Sequence, residues 1–414
     1  MTRSVAITGI GIVTALARGV EENWAALTAG RSGIRRIARF STEGLKVTFG
    51  GAVDHMGLDQ LPVTGRCLAM GRAVAEEALT QAGLAGSAFD GPLVLGLPPI
   101  ELEWPQRRDL ARRAAQPDYA GILAVADAGP ESAAHLDFLF GTVGERLAAA
   151  FGTAGPPITL STACATGASA IQTAVEAIRR GDCDRVLVIG SEGSLQVEAL
   201  IRFGLLQALS THNEDPAGAV RPFALDRDGF VMAEGAAALV LERPDAAAAR
   251  GARTLAYVRG CGEAADTFHR TRSNPDGSAI VRAMADAIAD AGLAPDAIDY
   301  VNAHGTGTPE NDKMECLAIQ RVFGERAARL PVSSNKSMIG HTLSAAGAIE
   351  AAFSVLTMER RLLPPTINYH HPDPAIPLDV VPNVARPAAV RTVLSNSFGF
   401  GGQNVSLVLG LDPA

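Results

Sequence analysis

Ser161-Thr162-Ala163-Cys164-Ala165-Thr166-Gly167-Ala168 joins an apolar, strand-like run, Pro157 to Leu160, to a helical pattern from Ser169 to Arg180 that stops at Gly181. A thiol where a strand turns into a helix lies near unpaired backbone N–H groups. The positive end of the helix dipole favours the thiolate there, and the thiolate is the nucleophile. Small neighbours leave room for a substrate. The competing reading is a buried, inert cysteine, the commoner fate of a lone thiol. The rest of the chain decides between them.

Outward from this stretch, strand-like and helical runs alternate. Val5 to Val13 reads as a strand, Val20 to Leu27 and Gly65 to Ala82 as helices, and Pro92 to Leu97 as a short strand. Arg185 to Ser191, Gly235 to Glu242 and Thr254 to Cys261 read as strands, the last two separated by an Ala-rich, charged linker from Arg243 to Arg253. Helices over Ser278 to Ala291, Asp312 to Phe323 and Ala345 to Arg361 interleave with strands over Asp299 to Ala303 and Pro331 to Ser334. Thr392 to Ser397 and Val405 to Leu409 close the pattern. Continuous apolar strands alternating with helices predict an α/β fold whose sheets are covered on both faces. Thr166-Gly167-Ala168 and Ala346-Gly347-Ala348 each lead a helix ending in a pair of arginines, an echo that predicts two duplicated halves, 1–250 and 251–414.

Composition narrows the function. The chain has 414 residues, 47% hydrophobic and 19% charged, with a net charge of −8, which leaves no basic surplus for nucleic acid. Five scattered cysteines without a CxxC or Cys/His cluster argue against a disulfide framework or a metal site and fit the cytoplasm. The apolar start after Arg3 imitates a signal peptide, but Thr8, Gly9, Gly11 and Thr14 interrupt it, and it reads as a buried strand. No run reaches the ~18–20 apolar residues of a membrane helix. Gly9-x-Gly11 lacks the third glycine of a dinucleotide fingerprint, having Thr14 there.

Chemistry-bearing residues collect at strand exits, where open α/β sheets build ligand sites. Asn302-Ala303-His304-Gly305-Thr306-Gly307-Thr308-Pro309 is one such exit, and Ser334-Asn335-Lys336-Ser337-Met338-Ile339-Gly340-His341 is another. Asn396-Ser397-Phe398-Gly399-Phe400-Gly401-Gly402 is a third, whose glycines let backbone N–H groups approach a ligand. Acidic Asp312 and Glu315 are expected to stabilise a helix N-terminus.

Together with Ile7-Thr8-Gly9-Ile10-Gly11-Ile12-Val13-Thr14 and Asp226-Arg227-Asp228-Gly229-Phe230-Val231, these motifs closely resemble the β-ketoacyl-acyl carrier protein synthases over nearly the whole chain. The two-histidine set resembles the stand-alone elongating members. The resemblance implies a thiolase-like, five-layer α/β/α/β/α fold and decarboxylative condensation of malonyl-carrier protein with an acyl group on Cys164. It implies no cofactor or metal beyond the carrier's phosphopantetheine, and a homodimer or a heterodimer with a related subunit. By the same resemblance Cys164 is the nucleophile, with Phe400 supplying an oxyanion N–H and a gating ring. His304 and His341 support the enolate, and Lys336 and Glu350 support the histidines. Thr306, Thr308 and Thr271 bind the pantetheine arm.

Two rival readings differ in class. A non-catalytic partner subunit that sets chain length would lack the nucleophile, which this chain retains. A coenzyme A-dependent thiolase would carry a second cysteine near the C-terminal Gly-rich loop, which this chain lacks. The stretch 97–150 departs most from the family pattern, with Leu97-Pro98-Pro99-Ile100-Glu101-Leu102-Glu103-Trp104-Pro105 and then an arginine-rich run. It reads either as a pocket for an acyl chain different from ordinary fatty acids or as lineage drift in an exposed, Ala-rich segment. Gln207 stands where many relatives carry an arginine, so either Arg202, Arg66 and Arg72 substitute for it in docking an acidic carrier protein or the cognate carrier is a specialised one.

Overall fold

In chain order the strands that build the main sheet are β1 (Val5–Thr14), β2 (Leu93–Gly96), β3 (Ile158–Leu160), β4 (Arg185–Glu192), β5 (Gly235–Glu242) and β6 (Ala256–Ala265). They continue with β7 (Tyr300–Asn302), β8 (Pro331–Ser333), β9 (Asp379–Val380), β10 (Thr392–Phe398) and β11 (Gln403–Gly410). The computed structural model describes residues 4–116, 118–129, 137 and 139–413. The principal helices are α1 (Val20–Thr28), α2 (Val63–Gln81), α3 (Trp104–Arg113), α4 (Tyr119–Ala128), α5 (Thr142–Phe151), α6 (Thr166–Arg180), α7 (Val197–Leu205), α8 (Ser278–Asp290), α9 (Pro309–Phe323) and α10 (Ala346–Arg360).

The strands lie in the order β9-β8-β7-β10-β11-β6-β1-β5-β4-β2-β3. β1 runs antiparallel to β5 along nearly its whole length but meets β6 only from Val5–Val258 to Ile7–Ala256. The sheet therefore folds over at this short seam into two leaves. α6 and α10 pack against each other between the leaves, α2 covers the outer face of the leaf carrying β1, β5 and β4, and α8 and α9 cover the other. Five layers result, with three apolar clusters between them. The central one joins Ile171 and Val175 of α6 to Ile349 and Phe353 of α10. The outer two centre on Met70 and Val74 of α2 and on Met284 and Ile288 of α8.

The central pair explains the repeated Gly-Ala sequence. A Cβ on Gly167 would lie 2.6 Å from the backbone nitrogen of Ala348, and one on Gly347 would lie 2.4 Å from that of Ala168. The two helices thus cross backbone to backbone through reciprocal glycines. α10 is buried on every side from Ala346 to Met358, which matches its apolar circumference.

Several boundaries differ from the sequence reading. α6 starts at Thr166, not Ser169, because the turn at Cys164 feeds straight into helix. α9 starts at Pro309, since the Thr308 hydroxyl accepts from Asn311 N at 3.2 Å and caps it. The supposed linker contains a short helix, Pro244–Ala249, and β6 extends four residues past Cys261. Helices α4, α5 and α7 have no counterpart in that reading. Part of the stretch 97–150 lies outside the described residues.

Candidate active site

β3 delivers the chain to a tight turn. Ala163 adopts φ +50°, a left-handed conformation costly for a residue with a side chain and common at functional turns. The turn is held by Thr166, whose hydroxyl donates to Ala163 O at 2.6 Å and accepts from Thr162 N at 2.7 Å. Cys164 is presented just ahead of α6 and is only 7% exposed. Burial pushes its thiol up to about 11, opposed by a hydrogen bond from the Phe400 backbone N–H and by the charge of Lys336. The helix terminus was expected to favour the thiolate. Desolvation outweighs it, so in the empty site Cys164 is a thiol.

The His304 loop leaves β7 and is fixed by Glu315 of α9. One carboxylate oxygen accepts from His304 N at 2.9 Å and the other from Gly305 N at 2.8 Å. Asn396 Nδ2 donates to the same carboxylate at 3.0 Å. Asp312 accepts from Phe223 N at 2.7 Å and Gly307 N at 3.2 Å. Both acids are fully buried and hold the loop itself, a correction to the helix-end role expected of them. Their role is tertiary, and the sequence signal for it was a pair of acids on a helix face that is otherwise buried.

His341 follows a short helix, Lys336–Ile339. Its backbone N–H donates to Val231 O at 2.7 Å, and its Nδ1 accepts from Leu343 N at 3.3 Å. An accepting Nδ1 leaves the proton of a neutral ring on Nε2. Lys336 Nζ lies 3.4 Å from His304 Nδ1, and an ammonium there can only donate, so the same tautomer follows for His304. The rings stand 5.3 Å apart at 84°. Burial holds both histidines well below the ordinary value of 6.5, reinforced by Lys336. Lys336 pairs with Glu350, both buried, and burial raises Glu350 to about 7 against the pull of the lysine.

Cys164, His304, His341, Phe400, Thr306, Thr308 and Thr271 line one cavity, open to solvent. Thr306 and Thr308 hydroxyls are 3.0 Å apart, and Thr271 Oγ1 lies 3.3 Å from His269 Nδ1. Lys336 and Glu350 stand behind the histidines, off the cavity wall. Cys164 and Phe400 also line a second cavity, bounded by Pro99, Phe203 and Leu343. The pair forms a partition between two spaces. Among the described residues no group of His, Cys, Asp and Glu could hold a metal ion, and no helix is long and apolar enough to cross a membrane.

Of the arginines expected to substitute at a docking surface, Arg66 is corrected by the structure. It is buried, donates to Gly193 O at 2.9 Å and pairs with Glu234 at 3.2 Å. Arg72 is exposed beside Glu76, and Arg202 pairs with Glu101 at the second cavity.

The pattern of the β-ketoacyl synthase N-terminal domain matches residues 2–96 and 110–247, and that of the C-terminal domain matches 255–370. The chain belongs to the β-ketoacyl synthase family. Among synthases of this family, it is 36% identical to 3-oxoacyl-acyl-carrier-protein synthase 2 of Coxiella burnetii, over 98% of each chain. It is 37% identical to a putative polyketide β-ketoacyl synthase 1 of Streptomyces cyaneus, over 99% of this chain and 98% of that one. Among solved structures it superposes on a β-ketoacyl synthase from Burkholderia phymatum with a TM-score of 0.85 at 35% identity, covering both chains fully. A type II polyketide ketosynthase, solved with its acyl-carrier protein and bound to the hexaketide, gives 0.87 at 32% identity, again over both full chains. Residues 97–109, which the N-terminal pattern skips, mark where this β-ketoacyl synthase departs from its family.

Proposed function

We infer that this β-ketoacyl synthase condenses an acyl group held on Cys164 with a malonyl group carried by an acyl carrier protein, releasing carbon dioxide. The observation that carries the reading is one cavity shared by a buried thiol at a strained turn and two neutral histidines whose Nε2–H groups are free to donate.

The chemistry follows from those protonation states. Cys164 attacks the acyl thioester of the carrier. The Sγ–acyl bond forms, the carrier's C–S bond breaks, and the thiol proton leaves with the carrier thiol. The backbone N–H groups of Cys164 and Phe400 hold the oxyanion. Malonyl thioester then places its carbonyl oxygen against Nε2–H of His304 and His341. Loss of carbon dioxide leaves an enolate whose charge those donors stabilise without themselves giving up a proton. The carbanion attacks the acyl-Cys164 carbonyl, the tetrahedral intermediate expels the cysteine thiolate, and water returns a proton to it. Lys336, anchored by Glu350, holds His304 in its donating tautomer. Thr306, Thr308 and Thr271 take the amide groups of the pantetheine arm on its way in.

The chain works as two halves, 1–250 with the nucleophile and 251–414 with the histidines, lysine and Gly-rich loop. Its carrier protein is acidic, and Arg270 and Arg272 beside the cavity mouth suit it. The ishigamide ketosynthase was solved with a chain length factor. In this chain the open edge of β3, with Ile158 half exposed, suits pairing with a second synthase subunit. Five free cysteines support a reducing compartment, the cytoplasm. Intact-mass spectrometry after mixing with acyl-carrier protein tests the reading: an acyl adduct that maps to Cys164 is expected, and no adduct from any donor refutes it.

A further inference from the structure

We propose that Glu192, the last residue of β4, is a positioning residue for the condensation: through the turn at Leu343 and Ser344 it keeps His341 turned and protonated as a donor to the enolate. The role rests on the condensing reaction inferred above and adds a residue to it.

Glu192 is fully buried, where a carboxyl group is costly unless its oxygens are hydrogen-bonded. One oxygen accepts from Ser194 N at 2.9 Å and from the Ser194 hydroxyl, within its own loop. The other accepts from Ser344 N at 3.2 Å, in the segment between His341 and α10. That segment sits close on β4, since a Cβ on Gly190 would lie 3.3 Å from Cα of Ala345. Leu343 and Ser344 line the second cavity together with Cys164 and Glu192. The turn therefore faces the acyl side with its side chains and His341 with its backbone.

The turn is strained. Leu343 takes φ +39°, a left-handed conformation that a leucine adopts at a cost, and the buried hydroxyl of Thr342 has no hydrogen-bond partner among the described residues. The strained residue is also the one whose N–H donates to His341 Nδ1 at 3.3 Å. His304 has the Lys336 ammonium to set its tautomer, whereas His341 depends on this backbone N–H. Rotation of the peptide ahead of Leu343 relieves the strain, withdraws the N–H and lets the ring carry its proton on Nδ1. Nε2 then faces the enolate with a lone pair in place of a donor. The bond from Ser344 N to Glu192, one residue further on, pins the turn against that rotation.

The test separates the two half-reactions. Acyl transfer from acyl-carrier protein to Cys164 is timed by intact mass, and carbon dioxide release is then timed in a single turnover after malonyl-carrier protein is added to the acylated protein. Glu192→Ala should slow carbon dioxide release by about tenfold or more. Acyl transfer should stay equal or rise, because the charge of Glu192 disfavours the Cys164 thiolate. Glu192→Gln keeps an acceptor for Ser344 N and a donor for the Ser194 hydroxyl, and should hold carbon dioxide release within about threefold of wild type. Glu192→Asp keeps the charge but falls a methylene short of Ser344; it should show the same selective loss as Glu192→Ala and stands in for it if that variant does not fold. Equal losses in both steps, a loss in Glu192→Gln as large as in Glu192→Ala, or carbon dioxide release undiminished in the alanine and aspartate variants overturns the proposal. Wild-type protein that takes up no acyl group is a different result, which overturns the condensing role itself and this inference with it.

Discussion

At Cys164 two local effects oppose each other, and their balance is measurable. The helix terminus, Lys336 and the Phe400 N–H favour the thiolate, while burial disfavours it and prevails, to about 11. Alkylation of Cys164 by a small neutral reagent should therefore keep accelerating as pH rises past 9.0, the ordinary thiol value. A plateau reached below that value would contradict the account. The histidines give the opposite case. With both held well below 6.5 by burial, their ring resonances should not titrate between about pH 8 and pH 5.5. A midpoint near 6.5 would contradict the downward shift that burial imposes. Replacing Lys336 by methionine strands Glu350 in the core, whose Oε2 already lacks a hydrogen-bond partner among the described residues. Destabilisation of about 3–5 kcal/mol is expected by denaturant titration, with Glu350→Gln in the same background recovering part of it.

Among the elements, legibility followed the source of each one's stability. β1, β4 and β5 are predominantly apolar runs with no exposed face, and α10 is mostly apolar and buried on every side, so their patterns stand in the sequence without help from the fold. α3 buries only Leu110 and begins with Trp104-Pro105, and α4 buries no residue, so neither leaves the apolar stripe by which a helix is read. Seven of the nine expected site residues stood in strand-exit motifs, whereas Glu350, Thr271 and the loop-holding Glu315 did not. The repeated Gly-Ala motif was legible as an echo, while its reason, the backbone crossing of α6 and α10, appears only in the packing. Gly167→Ala or Gly347→Ala would place a methyl within 2.6 Å of the opposing backbone. A loss of about 1–3 kcal/mol is expected for either, read as a fall in thermal midpoint. An unchanged midpoint would show that the helices can separate without cost.

On the scale of the whole molecule, the fold brings Cys164 together with His304, His341 and Phe400, which lie 140 to 236 residues further along the chain. The seam between the leaves is short, and the site lies against the central helices, so the reacting groups rest on the most buried layer. The sheet ends at β3, an edge with an exposed Ile158. Sedimentation should accordingly give a particle of twice the chain mass, and Ile158→Arg should shift it towards one chain; a wild-type monomer at micromolar concentration would contradict this. The central claim is condensation, and one assay reaches it directly. The protein is incubated with acyl-carrier protein and malonyl-carrier protein, and the released carbon dioxide and the β-ketoacyl product are both quantified. The account predicts one carbon dioxide per β-ketoacyl product with the wild-type chain and no such product from Cys164→Ala. β-Ketoacyl product formed by Cys164→Ala, or none formed by the wild type with any acyl donor, would contradict it.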